Sequence, residues 1–211
     1  MATTTFPRLH VVTPPGVGAE VTSITEAAVA AGAPLVQIRT KAESDRSRYD
    51  HAMRLHRVCE VASALCLVND RVDLAQAVRG DGVHLGADDL SVALARRILG
   101  DGAVIGGTAR DPETARRLAG EGATYLGVGP AYATTTKTGL PDPIGVRGVE
   151  AVAAAVDIPV IAIGGVTVER VPELLDAGAW GVAAVGAVYG HADPVAAVRG
   201  LLDAIDQGRS R

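Results

Sequence analysis

Aromatic residues are the first scarcity, at 3% of a 211-residue chain with one Phe and one Trp. A core of stacked rings is therefore excluded. The 48% hydrophobic content must be filled by Ala, Val, Leu and Ile, which suit helices lying close on a sheet. Cysteine is nearly absent too. Cys59, in a helical pattern, and Cys66, opening an apolar run, read as reduced core residues of a cytosolic protein rather than as a disulfide framework. There is no basic excess. A net charge of −4 argues against general nucleic-acid binding, so any anion site must be local. No apolar run is long enough to span a membrane, and the stretch from Met1 to Pro7 lacks a signal-peptide profile. A soluble, cytoplasmic protein with no nucleic-acid or membrane partner is the expectation.

What the chain does have is a recurring unit. A helix stops at Gly or Ala-Gly and a short apolar strand follows, as in Ala31-Gly-Ala-Pro-Leu-Val36 and Ala177-Gly-Ala-Trp-Gly-Val182. Strands are expected at 9–12, 35–38, 65–68, 82–85, 104–107, 125–128, 160–163 and 181–185. Between them, Thr22 or Ser23 is expected to cap a first helix running through Ala31, and Ser44 or Asp45 a second to about Ala64. Further helices are expected at 72–78, 91–99, from Asp111-Pro112, at 149–156, 168–177 and from Asp193-Pro194 to about Gln207. Eight strand–helix units with a period of roughly 25 residues predict an α/β fold, a (β/α)8 barrel occupying residues 1–211 as a single domain. An open doubly wound sheet should carry G-x-G-x-x-G after its first strand, and none lies there.

In such a barrel the C-terminal strand ends share one mouth, so the polar residues there are the candidate site. Strand two delivers Gln37, Arg39 and Lys41 at a spacing of two, which puts all three on one side of an extended chain. Strand three runs into Asn69-Asp70, and Asp88-Asp89 follows strand four. Carboxylates from two strand ends beside cations suit a magnesium ion bridging to substrate phosphates, although Asp88 or Asp89 could instead cap the next helix. Strand five is followed by Thr108. Strand six leads into Gly129-Pro-Ala-Tyr-Ala-Thr134-Thr135-Thr136-Lys137, whose hydroxyls, backbone N–H groups and ammonium can hold phosphate. A solvated Thr-rich surface loop is the plain alternative. Strands seven and eight end at Gly164-Gly165 and Val185-Gly186, where glycine admits close backbone approach to a ligand. His84 lies within strand four, as much a core residue as a ligand contact, while His51 and His56 read as helix-surface residues. The inventory is two anion sites in one mouth. One, with Arg, Lys and a metal, suits a diphosphate; the other, with glycines and threonines, suits a monophosphate. Departure of a diphosphate under attack by a second phosphorylated substrate is the implied chemistry.

Taken together these stretches resemble the thiamine phosphate synthase family over nearly the whole chain. Gln37-Ile-Arg39-Thr-Lys41 resembles its Gln-x-Arg-x-Lys element, Val68-Asn69-Asp70 its Asn-Asp element, and Gly82-Val-His-Leu-Gly-Ala-Asp-Asp89 the stretch ending in its second magnesium ligand. The Gly129 to Lys137 loop and Ile163-Gly164-Gly165 are similar to its thiazole-phosphate elements. The resemblance implies that hydroxymethylpyrimidine diphosphate condenses with a thiazole phosphate, carboxylated in many members, after dissociative loss of diphosphate. It implies Mg2+ on Asp70 and Asp89, and catalytic cations at Arg39, Lys41 and Lys137. Substrate contacts are implied at Gln37, Asn69, Thr108, Thr134, Thr135, Thr136, Gly165, Val185 and Gly186, in a homodimer. Two positions depart from the family pattern. Thr108 and Gly186 stand where the family usually has Ser, so one hydroxyl gains a methyl neighbour and another is lost. A related thiazole tautomerase typically lacks the Asp of the Asn-Asp element and has His where this chain has Pro130. A non-catalytic barrel would be expected to have lost Asp70, Asp89 or Lys137.

Overall fold

The computed structural model describes residues 6–41, 43–134, 136, 139 and 141–208. Eight parallel strands pair in sequence order and close into a ring: β1 Leu9–Val12, β2 Leu35–Ile38, β3 Leu65–Asn69, β4 Gly82–Leu85, β5 Val104–Ala109, β6 Tyr125–Val128, β7 Val160–Ile163 and β8 Gly181–Ala184. The helices between them are α1 Ala19–Ala30, α2 Asp45–Val61, α3 Val72–Ala77, α4 Val92–Leu99, α5 Pro112–Gly120, α6 Gly145–Ala153, α7 Val171–Asp176, α8 Gly186–Tyr189 and α9 Pro194–Gln207. The (β/α)8 expectation holds. No helix among the described residues is long and apolar enough to cross a membrane.

Alternation along each strand divides the core in two. Outward residues such as Val11, Val36, Ile38, Cys66, Val68 and Ile105 pack on the helices in one large apolar layer. Inward residues Val12, Leu35, Leu67, Tyr125, Ile161 and Ala183 fill the ring itself. Tyr125, 1% exposed, is the largest of these. It fits because neighbouring β5 offers glycine, where a Cβ on Gly106 would lie 2.3 Å from the Tyr125 ring; on β6 itself Gly127 leaves room for His84, from which a Cβ there would lie 2.8 Å. Beneath the ring, Arg8 donates through Nε to the Trp180 carbonyl (2.7 Å) and through Nη1 to that of Ile205 (3.1 Å). Trp180 Nε1 donates to the Phe6 carbonyl at 2.9 Å.

Four helix starts carry side-chain caps. Ser44, Ser91, Asp111 and Asp193 accept from the backbone N–H three residues on. Ser91, not Asp88 or Asp89, is therefore the α4 cap. Helix α1 departs from expectation, beginning at Ala19 after an extended Gly18 with no side-chain cap. Thr22 lies inside it and donates to the Gly18 carbonyl at 3.0 Å, the backward bond a helical threonine makes when it is not a cap. The expected helix from Val168 is broken into a 3-10 turn, Val168–Arg170, followed by α7. Pro172 has no N–H to bond back to residue 168. Helix α6 begins and ends earlier than expected. Helix α8 was not expected at all; it is held by the 2.7 Å contact between the Tyr189 and Thr25 hydroxyls. His51 is also a correction, being buried on the inner side of α2 with Ala52, Leu55 and Cys59, where burial lowers its pKa.

Candidate active site

The strand ends enclose a cavity of about 670 Å³ at the C-terminal mouth. Gln37, Arg39, Lys41, Asn69, Asp70, Thr108, Thr134, Thr136, Gly165, Val185 and Gly186 all line it. Thr135 and Lys137 lie outside the described residues. Asp89 stands just behind the lining: its Oδ2 accepts the Gly86 N–H at 2.7 Å, and Gly86 is itself a wall residue.

On the β2–β4 wall, Thr13 fixes the start of the cationic segment. The Arg39 N–H donates to Thr13 Oγ1 at 2.8 Å, and the Thr13 hydroxyl donates back to the Arg39 carbonyl at 3.3 Å. Gln37 and Arg39 are both buried polar residues. Gln37 Nε2 donates to Asn69 Oδ1 at 2.6 Å, so the two amides are oriented as a pair. Burial lowers the Arg39 pKa while nearby Asp70 raises it, yet a guanidinium remains charged in a protein. Among the described residues it has no carboxylate within ion-pair distance. Its charge faces the cavity.

Lys41 Nζ lies 3.3 Å from Asp70 Oδ2. Asp70 has a φ of +66°, a left-handed conformation that Asp tolerates better than most residues. Its N–H donates to the His84 carbonyl at 2.8 Å, which ties the β3 end to β4. The Asp89 carboxyl is pushed above its ordinary pKa by burial, opposed by the Gly86 N–H and reinforced by neighbouring Asp70. Two carboxylates thus crowd one corner of the mouth, and two like charges this close disfavour joint ionisation.

The floor is polar in a way the sequence reading did not foresee. His84, on the inner face of β4, contacts the Tyr125 hydroxyl through Nδ1 at 2.9 Å and Thr108 Oγ1 through Nε2 at 3.0 Å. Thr108 belongs to β5, which runs two residues further than expected. His10 is fully enclosed beside Tyr125 and Phe6. Burial drives its pKa from 6.5 to about 3, against a bond to the Pro7 carbonyl. The signal for both histidines was strand parity, since His10 and His84 occupy inward positions of β1 and β4.

The opposite wall is built from β6 to β8. Thr134 Oγ1 accepts the Thr136 N–H at 3.3 Å and donates to its hydroxyl at 3.2 Å. Gly165, at φ +64°, is hemmed in so closely that a Cβ would meet the Ala133 carbonyl at 2.6 Å and Tyr132 Cβ at 2.8 Å. Thr136 Oγ1 lies 3.4 Å from the place a Cβ on Gly186 would take. Arg170 reaches the same wall from the 3-10 turn after β7.

A (β/α)8 barrel whose mouth sets cations and carboxylates against a wall of glycine and threonine belongs to the class of barrel enzymes with the active site at the C-terminal face. The family within that class is defined by sequence. A family model described as thiamine monophosphate synthase matches residues 9–188, and the chain belongs to that family. It is 49% identical over 201 residues to the thiamine-phosphate synthase of Salinispora arenicola, covering 94% of this chain and 97% of that protein. The Salinispora tropica thiamine-phosphate synthase is 50% identical over 201 residues with the same coverage. Among solved structures, the thiamine phosphate pyrophosphorylase from Pyrococcus furiosus superposes with a TM-score of 0.86 at 32% identity, over 95% of this chain and 96% of that one.

Proposed function

We propose that this chain is a thiamine-phosphate synthase, a transferase that joins hydroxymethylpyrimidine diphosphate to a thiazole phosphate and releases diphosphate. One observation carries the reading: Arg39, Lys41 and Asp70 stand on one wall of a mouth, with Asp89 just behind them, and the other wall is glycine and threonine. Arg39 and Lys41, joined by Lys137 on sequence grounds, hold the diphosphate. As the C–O bond breaks, the electron pair leaves with the diphosphate, and the pyrimidine stabilises the methylene cation left behind. The thiazole nitrogen then supplies the pair for the new C–N bond. Cations already in position meet the growing negative charge without reorganisation. The Gln37–Asn69 pair presents an amide oxygen and an amide nitrogen to the aminopyrimidine. Thr134, Thr135, Thr136, Gly165 and Gly186 hold the thiazole phosphate, which orients its nitrogen.

Asp70 and Asp89 form a donor set that fits magnesium. Two crowded carboxylates lose their repulsion to a divalent cation, and magnesium takes one or two carboxylates plus water and phosphate. No group of three or more His, Cys, Asp or Glu gathers for a metal among the described residues, so the remaining ligands would be the diphosphate and water. Bound there, magnesium supplies positive charge to the leaving group. The reading includes a homodimer, on the family resemblance, a cytoplasmic location, on the two cysteines read as reduced, and no nucleic-acid partner, on the net charge.

The test is to assay purified protein with both substrates, with and without magnesium, following thiamine phosphate and diphosphate. Equimolar products with magnesium, lost in Asp70→Ala and Asp89→Ala, are expected. No product from the pair, or rearrangement of the thiazole alone, refutes the reading; near-normal turnover of both variants at limiting magnesium refutes the metal site.

A further inference from the structure

Among the described residues Arg170 joins Arg39 and Lys41 as a cation on the cavity wall, in a stretch that the sequence predicts as continuous helix. It closes the 3-10 turn after β7. Its Nη1 donates to the Gly165 carbonyl at 2.6 Å, and its Cζ lies 4.3 Å above the centre of the Tyr132 ring. Tyr132 is anchored in turn, its hydroxyl donating to Glu173 Oε1. The guanidinium is therefore clamped between a ring and a carbonyl, in a plane set before any ligand arrives.

What the clamp leaves over is the telling part. A guanidinium carries five N–H donors, and only one is used within the described residues. No carboxylate among them comes within ion-pair distance of it. The acids nearest in sequence are engaged elsewhere. Glu173 takes the Tyr132 hydroxyl, and Glu169 is drawn to the hydroxyl of Thr167, which lowers its pKa more than Arg170 does. A preset cation with spare donors thus stands beside Gly165, across the mouth from Arg39 and Lys41. Planar donors of this kind recognise carboxylate and phosphate.

We propose that Arg170 is a substrate-binding residue of the thiazole half of the site, donating to an oxyanion of the thiazole substrate through the guanidinium edge that Gly165 leaves free. The oxyanion is the phosphate or, on a carboxylated ring, the carboxylate. This rests on the synthase reading and adds to it a determinant of thiazole recognition. The plain alternative is a brace, in which Arg170 only shapes the loop between Tyr132 and Gly165.

Titration calorimetry separates the two, using thiazole phosphate, the thiazole alcohol without phosphate, and the carboxylated thiazole phosphate on wild type, Arg170→Met and Arg170→Lys. Steady-state turnover is measured alongside. Arg170→Met is expected to raise Kd and KM for the anionic thiazole by about 10–100-fold, the range for a lost hydrogen bond to a charged group. The KM for the pyrimidine diphosphate and the kcat move far less, and Arg170→Lys recovers part of the loss. If the phosphate is the contact, the Met variant binds the alcohol as wild type does. If the carboxylate is the contact, the penalty is larger for the carboxylated substrate than for the plain one. An equal penalty on all three thiazoles, alcohol included, makes Arg170 a brace and overturns the proposal, as does no penalty at all. Should Arg170→Met fail to fold, Arg170→Lys weakening the alcohol as much as the anionic thiazoles overturns it equally. Wild type that makes no thiamine phosphate brings down the synthase reading and this inference with it; active wild type beside an unaffected Met variant removes the inference alone.

Discussion

Two adjacent glycines on β5 should respond very differently to the same added methyl. Gly106 points into the ring. An alanine there would place Cβ 2.3 Å from Tyr125 Cζ, 2.5 Å from Tyr125 Cε1 and 2.5 Å from His84 Nδ1. Carbon contacts settle near 3.5–4.0 Å, so something must move by about 1 Å or more. Tyr125 has little room to do so, with ring centroids of His10, Phe6 and His84 at 4.9, 5.3 and 5.5 Å. Overpacking costs about 1–3 kcal/mol, and this enclosed site belongs at the upper end. At about 2–4 °C per kcal/mol for a chain of this length, Gly106→Ala should lower Tm by about 6–12 °C. Gly107 points outward. Its added Cβ meets Leu118 Cδ1 at 3.1 Å and Val92 Cγ2 at 3.4 Å, both ends of side chains able to yield. Alanine also restricts the unfolded chain, which stabilises by about 0.4–1 kcal/mol, so Gly107→Ala should stay within about 1 kcal/mol of wild type. Because His84 bridges Tyr125 to Thr108, the Gly106 variant should also lose more turnover than the Gly107 variant. Thermal unfolding followed by circular dichroism, with turnover below both midpoints, is the assay. A Gly106→Ala protein melting within 2 °C of wild type, or a Gly107→Ala protein melting as low as the Gly106→Ala protein, would refute the reasoning.

His10 should make the protein acid-sensitive. Its folded pKa of about 3 lies below 6.5, so the unfolded chain binds the proton that the native state refuses. Stability is then complete above pH 6.5 and falls as pH drops toward 3, by at most about 1.4 kcal/mol per pH unit. Urea unfolding of His10→Phe between pH 7 and 4 should give a shallower decline than wild type, and an equal slope would clear His10 of the effect. Lys137→Ala should lower kcat by about 10²–10³ with a much smaller change in KM for the thiazole phosphate; a normal kcat with a raised thiazole KM would move the lysine to the other half-site. Thr108→Ser keeps the hydroxyl that meets His84 at 3.0 Å, so turnover should be unchanged or higher, and a large loss would reveal productive packing by the methyl.

The strands were legible because each is a short apolar run bounded by glycine or a polar turn. Five of the eight, β1, β2, β4, β6 and β7, have the expected ends. The cavity residues were legible for a related reason: once the barrel is inferred, strand ends share a mouth whatever their separation in sequence. What escaped was decided by contacts. Thr22 has the chemistry of a cap, but α1 begins before it, at Ala19. Helix α8 is four residues long, too short for any periodicity to announce. His51 was missed although Ala52, Leu55 and Cys59 continue its buried side at helical spacing. The break before α7 was announced by Pro172, and overlooking it hid Arg170. The His84–Tyr125–Thr108 contacts depend on which strand faces lie opposite one another, which a single strand cannot reveal.

The pairing of β1 with β8 has a consequence for how the molecule is made. A ribosome delivers β1 before the other seven strands, yet its partner on one side is the last strand of the ring to emerge, and Arg8 still awaits a carbonyl in α9. Throughout synthesis the growing sheet therefore carries an unsatisfied edge at β1, open to pairing with other chains. Closure takes place only after β8 has left the exit tunnel. Until then the edge at β1 is open, and slowing translation between β7 and β8 prolongs that exposure without altering a single contact of the finished ring.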